Sequence, residues 1–167
     1  GVKVSSTAVR KAIMEGNVRR AREFLGRPYR IGGVVVRGDG LGGKLGFPTA
    51  NIEVQAANKL LPRNGVYIVR AQVDGRSFNG IMNIGRRPTV SEQMHISLEV
   101  HIFTFSGNLY GMHMQIDLLE RLREEIRFDG MEQLAAQIQS DKEFARIFFE
   151  REQRRNNANT EESTSNS

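Results

Sequence analysis

The chain has 167 residues, of which 39% are hydrophobic and 26% are charged, and it has no cysteine. This composition is typical of a soluble globular domain and excludes disulfides and thiolate metal sites, and no apolar run resembles a membrane span or a signal peptide. Without a signal peptide or a membrane span, a cytoplasmic location is the prediction. Residues 1–30 hold eight basic and two acidic residues, whereas residues 31–150 hold 13 basic and 14 acidic residues. The main body is therefore nearly neutral, and we predict that it binds neither nucleic acid nor a membrane.

The N-terminal segment is predicted to be helical. Ser5, Ser6 and Thr7 offer N-caps, and apolar residues recur at helical spacing over residues 5–25. Gly16-Asn17 divides this segment into two short helices. Because the segment is too small to fold alone, residues 1–26 are expected to be a linker or the remnant of an upstream module.

Residues 38–51 combine glycines, a lysine and a rigid polar run. Four glycines, Gly38, Gly40, Gly42 and Gly43, are followed by Lys44. Glycines expose backbone N–H groups at close range, as a phosphate requires, and Lys44 adds a mobile positive charge. The glycines alone fit a flexible hairpin as well, and the pattern is not a Walker loop because no Gly-Lys-Ser/Thr opens a helix.

The end of this stretch contains a candidate metal-ligand pair. Thr49 and Asn51 are two residues apart on a segment predicted to be extended, so they point to the same side. Pro48 stiffens the backbone just before them. Hydroxyl and amide oxygens are hard ligands that suit a hydrated Mg²⁺ ion.

From residue 30 the apolar pattern has a period of two, which predicts strands. Asp74-Gly75 and Gly107-Asn108 are hairpin signals between neighbouring strands. Short turns and the absence of helix-length connections predict an antiparallel sheet closed into a small barrel. The candidate strands are 31–37, 66–73, 76–84, 97–105 and 109–118.

Two places beyond the glycine segment offer chemistry. Glu99 shares a strand face with His101 in a strongly apolar strand. It is either a solvated residue or, if it lines a pocket, the best general-base candidate in the chain. Arg123 and Phe128 could bracket a planar ligand, although their spacing alone favours a charged loop anchored by one Phe.

Helical spacing returns over residues 131–151, with a capping-box match at residues 140–143 that predicts a break. Residues 154–167 lack apolar side chains apart from one alanine. We therefore predict a disordered tail over residues 152–167.

Six motifs in the same order and spacing resemble the riboflavin kinase family, in particular the kinase module of bacterial bifunctional riboflavin kinase/FAD synthetases. The resemblance runs from residue 27 to residue 151. Residues 4–10 are similar to the closing motif of the adenylyltransferase module that precedes the kinase, so we expect this polypeptide not to make FAD from FMN. The motifs are Leu45-Gly46-Phe47-Pro48-Thr49-Ala50-Asn51, Asn64-Gly65-Val66-Tyr67, Asn83-Ile84-Gly85-Arg86-Arg87-Pro88-Thr89, Glu99-Val100-His101-Ile102-Phe103, Leu109-Tyr110-Gly111 and Leu122-Arg123-Glu124-Glu125.

The resemblance implies a mainly β fold, a six-stranded antiparallel closed β-barrel of Greek-key type with a C-terminal helix. It implies ATP-dependent phosphorylation of the ribityl 5′-hydroxyl of riboflavin, giving FMN and ADP, with Mg²⁺ as the cofactor. Glu99 matches the catalytic base, and Thr49 and Asn51 match the residues that hold the magnesium and the ATP phosphates.

The same resemblance places other residues near the two substrates. Gly38 and Lys44 match loop positions near the nucleotide, and Tyr110 matches a position on the nucleotide side. Arg123 and Phe128 match the loop that closes over the flavin.

The sequence departs from the family pattern at two positions. Gly43 stands where many members have arginine, which leaves Lys44 as the nearest replacement for that charge, and Thr104 stands where many have aspartate. The alternatives to a kinase are a non-catalytic flavin-binding β-barrel and a nucleic-acid-binding barrel. The neutral main body argues against the second.

Overall fold

The structure is a computed structural model that describes residues 6–36, 49–54, 59–105 and 107–165. Within these ranges the chain forms three helices and six strands. The helices are α1 (Ser6–Met14), α2 (Val18–Leu25) and α3 (Met131–Ser165), and the strands are β1 (Tyr29–Val36), β2 (Thr49–Val54), β3 (Gly65–Val73), β4 (Arg76–Pro88), β5 (Met94–Ile102) and β6 (His113–Arg123).

The six strands form a closed antiparallel barrel in the order β1-β2-β5-β4-β3-β6. The predicted barrel is therefore confirmed. Alternate residues point inward, as Leu98 and Val100 of β5 do, and pack into one core that α2 extends with Val18. The strand pattern predicted five strands; β2, which follows the glycine segment, was predicted only to be extended.

One of the two hairpin predictions is confirmed and the other is wrong. Asp74 and Gly75, with φ of 52° and 73°, join β3 to β4, as a two-residue hairpin turn requires. Gly107-Asn108 does not form a hairpin, because β6 pairs with β1 and β3 instead of β5. Gly107-Asn108 lies in the connection that follows β5, but this local signal does not determine which strands β6 pairs with when the barrel closes.

The N-terminal helices divide as predicted. The Asn17 side chain accepts a hydrogen bond from the backbone N–H of Arg20 at 3.1 Å and caps α2, and Gly26 ends α2 in the left-handed conformation. Ala12, Ile13 and Ala21 are buried in a small cluster that includes Tyr29 of β1. The helical pair is thus packed on the barrel.

Helix α3 differs from its prediction in two ways. It runs from Met131 to Ser165 without the break predicted at residues 140–143, and it continues through most of the tail that was predicted to be disordered. Glu143, whose side chain a capping box would turn back to Ser140, is bonded to Arg146 instead. Beyond residue 155, hydroxyl groups bond back to helix carbonyls, as Thr160 does to Asn156.

The middle of α3 lies against the outside of the barrel. Ala145 is buried with Val66, Ile68 and Ile81, and Phe149 packs against this cluster. This packing holds α3 over the outer face of β3 and β4. None of the helices in the described ranges is long and apolar enough to cross a membrane.

Candidate active site

A cleft of about 580 Å³ lies between the outer face of the barrel and a roof formed by residues 123–128 and the first turns of α3. The sheet contributes residues from β2, β4 and β5. Charged groups of both signs line the cleft. They are the carboxylates Glu99, Glu125 and Asp141 and the guanidinium groups Arg86, Arg87, Arg123 and Arg127.

Glu99 lies at the centre of the sheet side. In the strand register it is directly opposite Asn51 of β2 and directly opposite Asn83 of β4. Its neighbours Leu98 and Val100 are in the barrel core, so alternation turns Glu99 outward into the cleft. The two amide residues and the carboxylate therefore form one polar row on the outer face.

Two buried oxygen atoms of cleft residues have no hydrogen-bond partner within the chain. They are Oγ1 of Thr49 and Oδ1 of Asn83, and both residues line the cleft. A buried polar atom without a partner costs free energy, and such atoms are few in folded proteins. Their position in one cleft leaves both oxygens available to a group bound there.

The side chains on β2 fit a magnesium ion. Thr49 offers an unpartnered hydroxyl oxygen, and Asn51 offers an amide oxygen beside Glu99. Mg²⁺ prefers such oxygen ligands and is often held by one or two protein groups together with substrate phosphates. Among the described residues, no three His, Cys, Asp or Glu side chains come together as an alternative metal cluster.

The roof of the cleft is fixed by an ion pair. The Arg123 guanidinium donates to the Asp141 carboxylate from Nε at 2.9 Å and from Nη2 at 2.7 Å, and its Nη1 donates to the Glu124 carbonyl at 2.8 Å. The Asp141 side chain is only 4% exposed. Arg123 thus connects β6 to α3, and Phe128, which also belongs to the roof, lines the cleft.

A glycine lets the roof approach the sheet. A Cβ atom on Gly85 would lie 3.0 Å from Oε1 of Glu125 and 3.0 Å from Oγ of Ser97. A side chain at this position would have to displace the Glu125 carboxylate and the Ser97 hydroxyl. The cleft mouth is completed by Arg87, whose side chain is 77% exposed and lies 3.9 Å from Glu125.

The predicted site residues are distributed unequally. Thr49, Glu99, Arg123 and Phe128 line the cleft, and Asn51 lies beside Glu99. Tyr110 is elsewhere, 55% exposed on a turn next to the end of β1. Gly38 and Lys44 lie outside the described residues.

Sequence reasoning assigned no role to several cleft residues, among them Asn83, Arg87 and Glu125. Asn83 and Arg87 belong to the motif that begins at Asn83, and Glu125 ends the motif that begins at Leu122, so the motifs were a signal for the region. The individual side chains were not distinguishable from other polar residues until β4 and the roof were placed around Glu99.

A second groove, of about 1230 Å³, lies between α3 and the ends of β4 and β5. Five of its charged side chains are paired with each other: Arg70 with Glu152 at 3.0 Å, and Arg146 with Glu143 and Glu150. The cleft around Glu99 has unpartnered oxygens and an outward carboxylate on a strand. It is therefore the candidate active site.

Comparison with known proteins decides the family. The family model "Flavokinase: Riboflavin kinase" matches residues 25–149. The chain belongs to the riboflavin kinase family. Within that family it is 42% identical, over 148 residues, to the bifunctional riboflavin kinase/FMN adenylyltransferase of Haemophilus influenzae, covering 88% of this chain and 47% of that protein.

Solved structures share the barrel of this riboflavin kinase family member. A riboflavin kinase from Trypanosoma brucei matches with a TM-score of 0.52 and 24% identity, covering 74% of this chain and 78% of that one, which supports the fold alone. A Streptococcus pneumoniae chain described as a macrolide-efflux protein matches with a TM-score of 0.82 and 34% identity, covering 86% of this chain and 46% of that one. The present chain spans about half the length of the curated relatives it matches.

Proposed function

We propose that this domain transfers the γ-phosphoryl group of ATP to the ribityl 5′-hydroxyl of riboflavin, giving FMN and ADP. The observation that carries the proposal is Glu99 in a cleft with Asn83 and the unpartnered Thr49 hydroxyl, and with Asn51 opposite it on β2. A central carboxylate with oxygen ligands beside it suits phosphoryl transfer, in which positioning and charge neutralisation dominate catalysis. The family membership of residues 25–149 supports the same reaction.

The donor side of the reaction belongs to β2. Thr49 and Asn51 would hold Mg²⁺, which neutralises charge on the ATP phosphates when it is bound. Both side chains lie on the β2 side of Glu99. Gly38 and Lys44 are proposed to contact the phosphates, and Tyr110 is proposed to contact the nucleotide.

Glu99 is the proposed general base. Its carboxylate would accept a hydrogen bond from the 5′-hydroxyl of riboflavin, orient the oxygen towards the γ-phosphorus and take its proton as the new P–O bond forms. The bond from phosphorus to the β,γ-bridging oxygen breaks, and ADP leaves with that oxygen. The rigid strand pairing on both sides of Glu99 fixes the position of the carboxylate.

The acceptor side lies under the roof of the cleft. Phe128 lines the cleft together with apolar side chains such as Ile126 and Leu134. These groups offer a surface for the planar flavin ring. Arg123 is engaged by Asp141, so we assign it a positioning role that fixes this wall.

FAD formation is proposed to require the second module that the relatives' names describe. The curated relatives are bifunctional enzymes about twice as long as the matched region. We expect the domain to act in the cytoplasm on riboflavin and ATP, and to produce FMN without FAD.

The test is to incubate the protein with riboflavin, ATP and Mg²⁺ and to separate FMN from FAD by chromatography. Glu99→Gln should lower turnover roughly 10²–10⁴-fold, because it removes the base, while riboflavin and ADP binding stay near wild type. Binding of flavin without any FMN formation by the wild-type chain would favour the non-catalytic flavin-binding barrel. Near-normal turnover by Glu99→Gln would remove Glu99 from the base role.

A further inference from the structure

Asn83 is a cleft residue whose amide oxygen accepts no hydrogen bond from the rest of the chain. It is half-buried on β4, and its Oδ1 atom is buried without a hydrogen-bond partner. Its neighbours Met82 and Ile84 are fully buried in the barrel core, so the Asn83 side chain is held on the outer face. A hydrophobic residue would fill this position without the cost of an unpartnered oxygen.

The strand order separates Asn83 from the proposed metal ligands. β5 lies between β2 and β4, so Asn51 and Thr49 are on one side of Glu99 and Asn83 is on the other. Adjacent strands are about 4.8 Å apart, which places β2 and β4 about 10 Å apart. The outer face of a barrel is convex and spreads side chains further, whereas an Mg²⁺ ligand must lie at about 2.1 Å.

The same strand order places the two substrates over different strands of the sheet. If the phosphoryl donor lies over β2 and Glu99 faces the reacting hydroxyl, then the remainder of the acceptor extends over β4 towards Arg87 and the roof. Riboflavin carries several hydroxyl groups between its reacting end and its ring. One of these would pass over Asn83.

We infer that Asn83 is an acceptor-positioning residue, whose side-chain amide binds a non-reacting hydroxyl of the ribityl chain. This inference rests on the proposed function and adds the group that selects a polyhydroxylated chain. A neutral amide suits this task because a hydroxyl can both donate to Oδ1 and accept from Nδ2. A second carboxylate in its place would be a like charge directly opposite Glu99.

The first experiment measures binding in the absence of ATP, by quenching of flavin fluorescence. Asn83→Ala should weaken riboflavin binding about 2- to 12-fold, the effect of one neutral hydrogen bond. Lumiflavin has the same ring but no ribityl chain, and its binding should be unchanged. The matched control is Asn79→Ala, an exposed asparagine four residues away on the same face of β4 and outside the cleft, which should bind both flavins as wild type does.

The second experiment measures turnover. Asn83→Ala should lower kcat/KM for riboflavin roughly 10- to 100-fold by misplacing the acceptor, and the loss should shrink for a deoxyriboflavin that lacks the contacted hydroxyl. The KM for ATP and the Mg²⁺ requirement should not move. Asn83→Leu keeps the size of the side chain, removes the amide and serves as the second variant: a higher Mg²⁺ requirement in both variants would make Asn83 a metal ligand and overturn the inference.

Equal losses for riboflavin and lumiflavin, or no loss for either, would also overturn the inference. Absence of FMN formation by the wild-type chain is a different failure. It would remove the proposed kinase reaction, while the contrast between riboflavin and lumiflavin binding would still decide whether Asn83 contacts the ribityl chain.

Discussion

At the scale of single residues, the Thr49 hydroxyl gives a test that separates ligand binding from stability. Its Oγ1 atom is buried and has no partner within the chain. Thr49→Val keeps the branched shape and removes only the hydroxyl, so the ligand-free protein should be as stable as wild type or more stable. If the hydroxyl holds Mg²⁺, the Mg²⁺ concentration needed for ADP binding should rise on the order of 10-fold, within the range for lost metal-site groups.

The matched variant is Thr49→Ser, which retains the hydroxyl and should retain the Mg²⁺ dependence. Isothermal titration with ADP at several Mg²⁺ concentrations, together with thermal unfolding without ligand, measures both effects. A lower unfolding midpoint for Thr49→Val with an unchanged Mg²⁺ dependence would show that the hydroxyl serves the fold instead.

Individual site residues were predictable where their chemistry was unusual for their surroundings. Glu99 stood out as a carboxylate in an apolar strand, and the structure places it in the cleft. Asn83 did not stand out, because an asparagine is ordinary at a strand surface. Its significance depends on the unpartnered oxygen and on the register with Glu99, neither of which exists before the sheet is assembled.

At the scale of elements, the ion pair between β6 and α3 should hold the roof of the cleft. Asp141→Ala leaves the Arg123 guanidinium, which is 19% exposed, without its carboxylate. Loss of one partner of a buried pair costs about 3–5 kcal/mol, so we expect a large loss in the free energy of unfolding measured with urea. The KM for riboflavin should rise more than the KM for ATP, because the roof covers the acceptor side.

Glu143→Ala is the control for this variant. Glu143 is on the same helix and pairs with Arg146, but that pair is exposed on both sides. Screening by water makes such pairs nearly neutral, so the unfolding midpoint and both KM values should stay at wild type. Equal effects of the two substitutions would mean that the Arg123–Asp141 contact does not fix the roof.

The elements themselves were predictable to the extent that local patterns determine them. Period-two alternation located β3, β4 and most of β5, and Asp74-Gly75 located a hairpin. The pairing of β6 with β1 could not be predicted from a local pattern, because it joins residues far apart in the sequence when the barrel closes. The capping-box match at residues 140–143 misled because Glu143, whose side chain would have to turn back to Ser140, bonds forward to Arg146 in a helix that continues through Ser140.

At the scale of the whole molecule, one carboxylate joins the two ends of the described chain to the barrel. Glu152 of α3 accepts hydrogen bonds from Arg22 of α2 at 3.4 Å and from Arg70 of β3 at 3.0 Å, and its side chain is 16% exposed. The N-terminal helices, the barrel and the C-terminal helix therefore meet at one residue. Beyond it, the described residues from 154 onward are exposed.

Two truncations that differ by two residues test this junction. A chain that ends after Gln153 keeps Glu152 and loses only exposed helix, so it should keep the wild-type unfolding midpoint and FMN formation. A chain that ends after Arg151 also loses both contacts of Glu152, and its midpoint should fall by roughly 2–4 °C for each 1 kcal/mol lost. Glu152→Gln in the full chain should reproduce part of that fall, because it removes the charge and keeps the helix. Wild-type midpoints in both truncated chains would show that the ends are held to the barrel by apolar packing alone. An equal fall in both would assign the stabilisation to the helix beyond residue 153.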